Sequence, residues 1–451
     1  MINQAELRLL REALDTLAGG YSDLPEFAPE FDVDKAADVL QQAALRMQDN
    51  YPYYHPQYAG QMLKPPHPVA RVAYAMSLWV NPNNHALDGG RASSMMEKEC
   101  VEEIARMYGW DKPLGHLTGG GTMANLESLW VAGRLHPGKR IAASEQAHYT
   151  HSRITDVLGI PFAPVPVTLD GRMNAEELDK LLAEGDVGTV VATIGNTGLG
   201  AVDSLRDLLA LRERYEFRVH ADAAYGGYFG LAGELHPDTA ETYSLLQHVD
   251  SIVVDPHKHG LQPYGCGCVL FRDPSVGAFY KHGSPYTYFS SAELHLGEIS
   301  MECSRPGASA VALWATQKLF PLQPGGEFSR GLDKCLLAAR EFWQRLKGSD
   351  QYQPLMPPEL DIVVYALKDA DSEAASKHAR QVFETAAEKD LHLALIELPA
   401  EIVSQYMPGM RVNGESVTCL RSVLMKPEHG QWLDQIMGIL EESARIRTTP
   451  M

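Results

Sequence analysis

Over residues 1 to about 50, Leu and Ala return every three or four positions with acidic residues between them, the spacing of amphipathic helices. A Pro- and Tyr-rich passage, YPYYHPQYAGQMLKPPHP, breaks that period and predicts an ordered arm rather than a regular element. Short apolar or β-branched runs then alternate with helical stretches. Arg140–Ser144, Thr189–Thr193, Arg218–Asp222, Ser251–Val254 and Gly267–Phe271 read as strands, and Ala124–Leu135, Ala175–Leu182 and Ser204–Tyr215 as helices. Alternation of this kind predicts an α/β fold with a mainly parallel sheet covered on both faces, whose ligands bind at the carboxyl ends of the strands. After Gly326 the rhythm shifts again. A helix over Ser329–Leu346, a strand over Asp361–Ala366, a helix over Ser376–Lys389, strands near His392–Glu397 and Thr418–Met425, and a last helix over Gln431–Ala444 are expected. The chain divides accordingly into an N-terminal helix and arm (1–80), a large domain (81–325) and a small C-terminal α/β domain (326–451).

Composition narrows the function. With 451 residues, 45% apolar and 22% charged, the chain is long enough to bury a closed site without disulfides or metals. A formal net charge of −19 argues against a nucleic-acid partner, which needs clustered Lys and Arg. The Met1 end carries acidic residues within its apolar pattern and reads as an amphipathic helix, not a leader. No run approaches the roughly 18 apolar residues of a membrane span. The six cysteines are scattered, and Cys266-Gly267-Cys268 lacks a second pair to complete a zinc site. Buried reduced thiols, no metal and a cytoplasmic location are the expectation.

The candidate chemistry gathers at predicted strand ends. Lys258, in VDPHKHG (254–260), directly follows an apolar strand; a lysine drawn out of water becomes a nucleophile able to form an imine. Alone it would be an ordinary loop lysine. In HADAAYGG (220–227), a period of two puts His220 and Asp222 on one face. A carboxylate at the mouth of an apolar sheet needs a cationic partner, and a protonated pyridine nitrogen is one. The run LTGGGTMANL (117–126) passes from strand through glycines into a helix. It has neither the lysine of a nucleoside-triphosphate loop nor a dinucleotide spacing, so a monophosphate fits best. SEQAHYTH (144–151) offers His148 to stack on an aromatic face, and ATIGNTGLGAVD (192–203) offers Asn196 and Thr197 as polar contacts. Singly, most of these lose to capping or core readings. Together they make a phosphate cup, a stacking ring, a ring-nitrogen partner and an imine lysine.

These residues resemble the group II pyridoxal 5′-phosphate (PLP)-dependent amino-acid decarboxylases, of the aspartate-aminotransferase superfamily. The resemblance rests on Ala147-His148-Tyr149-Thr150, Gly195-Asn196-Thr197 with Gly200-Ala201-Val202-Asp203, His220 to Gly227, Asp255-Pro256-His257-Lys258 and Thr118 to Asn125. NPNNHALDGG (81–90), Glu97 and ECSRPG (302–307) add to it. In motif order it spans about residues 50 to 320. Asn196 stands where the family more usually has Thr, and Met123 where it has an acidic residue.

The resemblance implies fold type I, with a mainly parallel, seven-stranded-type central sheet, an N-terminal helical arm and a small C-terminal α/β domain. It implies that Lys258 carries PLP as an imine, that Asp222 pairs with the ring nitrogen, and that His148 and Ala224 sandwich the ring. Gly120, Gly121 and Thr122 would hold the phosphate with help from His257, and Asn196 and Thr197 would line the site. Arg305 would brace the site or meet a substrate carboxylate, His55 is a substrate candidate, and Tyr288 or Tyr286 would return the proton after CO₂ leaves. The implied reaction is decarboxylation of an L-amino acid by a homodimer with shared active sites. The tyrosines near 51–58 and 286–288 hint at an aromatic-lined pocket; acidic and basic substrates stay open. Competing readings are a carbon–carbon lyase resembling sphingosine-phosphate lyase at Ser304–Gly307, an aldehyde synthase on the same scaffold, and a non-enzymatic PLP-binding relative.

Overall fold

The apolar runs between residues 114 and 271 assemble into one seven-stranded sheet in the computed structural model, which describes residues 3–281 and 299–445. Its strands are β1 (Leu114–Thr118), β2 (Arg140–Ser144), β3 (Phe162–Val165), β4 (Val187–Thr193), β5 (Arg218–Asp222), β6 (Ser251–Val254) and β7 (Gly267–Phe271), in the spatial order β1-β7-β6-β5-β4-β2-β3. From β6 through β5, β4 and β2 to β3 every neighbouring pair is parallel, while β7 runs antiparallel to both β6 and β1. The sheet is therefore mainly parallel. β3, FAPV, has no strand signal in the sequence because Pro164 interrupts it, and an edge position is where a sheet tolerates proline.

Burial on both faces explains the composition of the central strands: all seven residues of β4 and all four of β6 are buried. β5 departs from this at one face. Val219 and Ala221 point one way into apolar core, and His220 and Asp222 point the other way, toward the helix Gly121–Leu135 and the start of the helix Thr150–Leu158.

The small C-terminal sheet is entirely antiparallel. Its strands, β8 (Tyr352–Pro354), β9 (Ile362–Leu367), β10 (Ala394–Pro399) and β11 (Ser416–Val423), lie in the order β10-β11-β9-β8. The helices Glu327–Lys347, Ser372–Ala387 and His429–Arg445 enclose a separate core around Phe342, Tyr352, Tyr365, Val382 and Leu440; each such fully buried side chain contributes about 1.5–3 kcal/mol. The three-residue β8 and the helix Ala400–Tyr406 carry no clear signal in the sequence, being shorter than the windows over which periodicity shows.

The N-terminal helical pattern resolves into two helices, Gln4–Gly19 and Val33–Met47, separated by a stretch with Gly20, Pro25 and Pro29. The first is tied down by Glu6, whose carboxylate accepts from Arg71 at 2.8 Å. The second buries no residue. The arm that follows is irregular through residue 67 and is stitched to the small sheet: Ala59 N–H donates to the His392 carbonyl (2.9 Å) and Val423 N–H to the Ala59 carbonyl (2.8 Å). Among the described residues no helix is long and apolar enough to cross a membrane.

Candidate active site

The carboxyl ends of β1, β2, β4, β5 and β6 open on a cavity of about 620 Å³. β6 delivers its cation. The chain leaves the strand in a turn closed by Lys258 N–H donating to the Asp255 carbonyl (2.9 Å), and Lys258 Nζ then lies 3.1 Å from Asp255 Oδ2. Lys258 keeps a fifth of its side chain accessible, while Asp255 is buried with Oδ1 lacking any partner. His257 is held by Nδ1–H donating to the Cys266 carbonyl (2.8 Å), which leaves Nε2 on the side of Asp255, 3.5 Å from its carboxylate. Burial lowers the His257 pKa, partly offset by Asp255.

Across the cavity, β1 runs into the glycine cup. Gly120 has φ +145°, a backbone that side-chain-bearing residues rarely adopt, and a Cβ on Gly121 would come within 2.7 Å of Asp255 Oδ2. The helix Gly121–Leu135 that follows has no side-chain cap, so its first N–H groups face the cavity as an anion seat. Gly119 N–H donates instead to Glu302 Oε2 (2.9 Å), a carboxylate that also lines the cavity.

The third wall is the polar end of β5. Asp222 Oδ1 accepts from Ala224 N–H (3.2 Å) and Oδ2 from His151 Nε2 (2.8 Å). Burial would raise the Asp222 pKa; the bond and charge of His151, with His220 and Lys258 nearby, outweigh it and hold the carboxyl well below its usual range. His220 stays neutral, pushed down to about 3 by burial, and spends both nitrogens on Ser251 Oγ (2.9 Å) and Asn125 Oδ1 (2.8 Å). His148 bonds Thr150 Oγ1 through Nδ1 (2.8 Å) and stacks on Tyr149 at 4.5 Å; burial lowers its pKa too.

Of the residues singled out in the sequence, Gly120, Gly121, Thr122, His148, Thr197, Asp222, Ala224, His257 and Lys258 line this one cavity. Three do not. Asn196 is spent on its own turn, accepting from Leu199 N–H (2.7 Å) and donating to the Gly171 carbonyl (3.0 Å), so it shapes the loop rather than lining the site. Arg305 is buried against Glu97 (2.8 Å) and the Leu117 carbonyl, leaves Nε without a partner, and does not line the cavity. His55 packs edge-on against Trp432 of the small domain. Tyr51, Tyr53 and Tyr58 cluster with one another, and Tyr51 and Tyr58 pack against His392, so this segment does not line the cavity with aromatics. Tyr286 and Tyr288 lie outside the described residues.

The sequence reading missed His151, Thr193, Tyr225 and Glu302. Thr193 pairs with Asp222 across the neighbouring strand and Tyr225 directly follows Ala224, and Thr193 Oγ1 is buried without a partner. His151 had a signal: it stands three residues after His148 in a helix start, and a buried carboxylate at Asp222 required a cation or donor somewhere.

A flat, phosphate-bearing pyridine fits this donor set. The uncapped helix start suits its phosphate, the ionised Asp222 its protonated ring nitrogen, the small Ala224 and the His148 ring its two faces, and Lys258 its aldehyde carbon. Comparison with known proteins agrees. The pyridoxal-dependent decarboxylase conserved domain matches residues 131–368. A probable L-tyrosine/L-aspartate decarboxylase of Methanothermobacter thermautotrophicus is 31% identical over 312 residues, covering 68% of this chain and 82% of the relative. The L-tyrosine decarboxylase of Enterococcus faecium is 26% identical over 447 residues, covering 75% and 73%. Among solved structures, mouse CSAD superposes with a TM-score of 0.80 over 99% of this chain and 93% of its own, at 21% identity, a likeness of fold.

Proposed function

The chain belongs to the pyridoxal-dependent decarboxylase family and is a PLP-dependent amino-acid decarboxylase, and from that premise we propose which residues carry the reaction. The observation that carries the assignment is the convergence of Lys258, Asp222 and the uncapped helix start at Gly121 on one cavity.

Bound PLP supplies an electron sink for the carbon that loses CO₂. Lys258 would hold it through Nζ, and the same amine would be within reach to move a proton. Asp255, 3.1 Å from Nζ, keeps that ammonium in place and offers it a proton acceptor. Asp222 stays an anion because His151 donates to it, and would pair with the ring nitrogen. Gly120, Gly121 and Thr122 seat the phosphate, with the His257 ring closing the cup: a Cβ on Gly120 would already touch His257 Cε1 at 3.4 Å. His148 and Ala224, both lining the cavity, would cover the two faces of the ring. Thr197 and Thr193 present hydroxyls to the same space.

For the substrate carboxylate the candidate is Arg421, which does not line the cavity itself but interacts electrostatically with Tyr225, which does. This buried guanidinium donates to Gln61 Oε1 (3.3 Å) and leaves Nε and Nη2 without partners. The proton donor after CO₂ loss is Tyr288 or Tyr286. L-Tyrosine and L-aspartate, named for the relatives, are the first substrates to test.

A second copy of this chain completes the assembly. The helix Val33–Met47 turns Val39, Leu40, Leu45 and Met47 to solvent, and Phe27 before it is 90% exposed; a face this apolar marks an interface. The partner would then supply residues to each cavity. Six free cysteines, all but Cys303 buried, fit a cytoplasmic enzyme.

The test is purified, PLP-loaded protein with the common amino acids, measuring CO₂ and the amine. Equal amounts of both from one substrate are expected. Aldehyde with ammonia and peroxide would move the chain to the synthase reading, and products of carbon–carbon cleavage without CO₂ to the lyase reading. Sedimentation of the intact chain should give a dimer that Leu40→Glu weakens.

A further inference from the structure

A second cavity, of about 700 Å³, lies where the N-terminal arm, the helix Glu327–Lys347 and the chain after β11 meet, and it shares no lining residue with the first. Its floor holds two lysines. Lys426 is 4% exposed, and its Nζ donates to the Tyr58 carbonyl at 2.7 Å. Lys64 Nζ donates to the Met425 carbonyl at 3.2 Å. An ammonium has three N–H donors, so each lysine leaves donors unspent. Neither has a carboxylate within ion-pairing distance, whereas Arg305 has Glu97 and Lys258 has Asp255.

The remaining groups offset the pair only from beyond ion-pairing distance: Asp361 and Glu428 act on Lys64, and Glu428 on Lys426. Cys335 is a thiol whose pKa burial pushes up, so it brings no charge. His259, 1% exposed, leaves Nδ1 without a partner, and its Nε2 lies 3.2 Å from Asp361, the carboxylate that accepts from the Tyr225 hydroxyl. Charges at the rim cancel, with Arg330 and Lys334 set against Glu327 and Glu428. Lys426, whose ammonium meets only a carbonyl and the face of the Tyr58 ring (5.3 Å), and the half-buried Lys64 beside it are costly unless an anion meets them. Burial, and the charge of Lys64, already push Lys426 down to about 7.

We propose that this cavity is a second binding site, for a small organic carboxylate held between Lys64 and Lys426. A monocarboxylate is favoured over phosphate because Pro65, Pro66, Pro427 and Phe320 give stiff apolar walls for a short carbon chain. The occupant would sit against His259, the residue next to Lys258 in sequence.

The test uses the PLP-loaded enzyme, so that the coenzyme occupies the glycine cup. Thermal unfolding is followed while acetate or butyrate is titrated, with chloride at matched ionic strength as reference and inorganic phosphate as a separate arm. A saturable rise in Tm with butyrate, absent with chloride, is expected. In Lys426→Met it should need at least tenfold more butyrate, while the variant without ligand melts no lower than the parent, because a thioether replaces an unpaired charge. Calorimetric titration of both proteins should give the same ratio. No saturable rise, an equal rise in Lys426→Met, or binding of phosphate alone would each overturn the proposal. Should Lys426→Met fail to fold, Lys64→Met carries the same comparison.

Discussion

Two cavities of this protein are floored by lysine, and the difference between them lies in what each lysine faces. Lys258 sits at a strand end with Asp255 at 3.1 Å and part of its side chain accessible. It is a paired cation beside a seat for an anion and a seat for a ring. Lys426 is more deeply buried and has a carbonyl where a carboxylate would be expected. A paired lysine keeps its charge and its position, which suits a group that must be displaced and return in every turnover. An unpaired one keeps its charge only when something else brings the counter-charge.

The sharpest way to break the comparison is at Lys258. Lys258→Ala should lower amine formation by about a thousandfold or more, the scale of losing a nucleophile and its proton transfers together, and the coenzyme should wash out on dialysis. Retention of PLP with its absorbance unchanged would remove Lys258 from the role.

Next is the partner of Asp222. His151→Leu leaves Asp222 without its 2.8 Å donor, and losing a hydrogen bond to a buried charge costs about 1.5–3 kcal/mol. Coenzyme affinity should fall roughly ten- to a hundredfold on that scale, with the coenzyme spectrum becoming pH-dependent in a range where the parent's is flat. His151→Gln, which keeps a donor, should recover part of the loss. A merely structural histidine would lower Tm and leave the spectrum alone.

The second lysine predicts a pH dependence of stability. Burial and Lys64 lower the Lys426 pKa to about 7, opposed by Glu428 and Cys335, against 10.5 for an ordinary lysine. Between those values the unfolded chain binds the proton and the folded chain does not, so stability rises with pH across that window. The slope is at most about 1.4 kcal/mol per pH unit. Urea unfolding from pH 7 to 10 should show the rise in the parent and a flatter line in Lys426→Met; parallel lines would mean that Lys426 is not the group.

Asn196→Ala gives the smallest effect. Removing its two bonds within the turn should cost about 1–2 kcal/mol and leave coenzyme affinity within a factor of two. A loss of affinity larger than the loss of stability would return Asn196 to the cavity.

The residues legible in the sequence were those whose chemistry and local period coincide. Asp222 and His220 share a face of β5 by alternation, the glycines precede a helix by pattern, and Lys258 follows β6 directly. His151 and Tyr225 were harder, because their partners, Asp222 and Asp361, are 71 and 136 residues away in sequence. Asn196, Arg305 and His55 do not line the cavity: they meet Leu199, Glu97 and Trp432 instead.

By itself, then, the sequence determined the α/β alternation, the cofactor class and the strand ends where the chemistry gathers, since these follow from periodicity and from residue types within a few positions of each other. Only the tertiary structure decided which polar groups are spent and which remain free. That depends on contacts between distant segments, as when the arm carrying Lys64 folds onto the chain after β11 and leaves two ammoniums facing one cavity. No local pattern records a missing counter-charge.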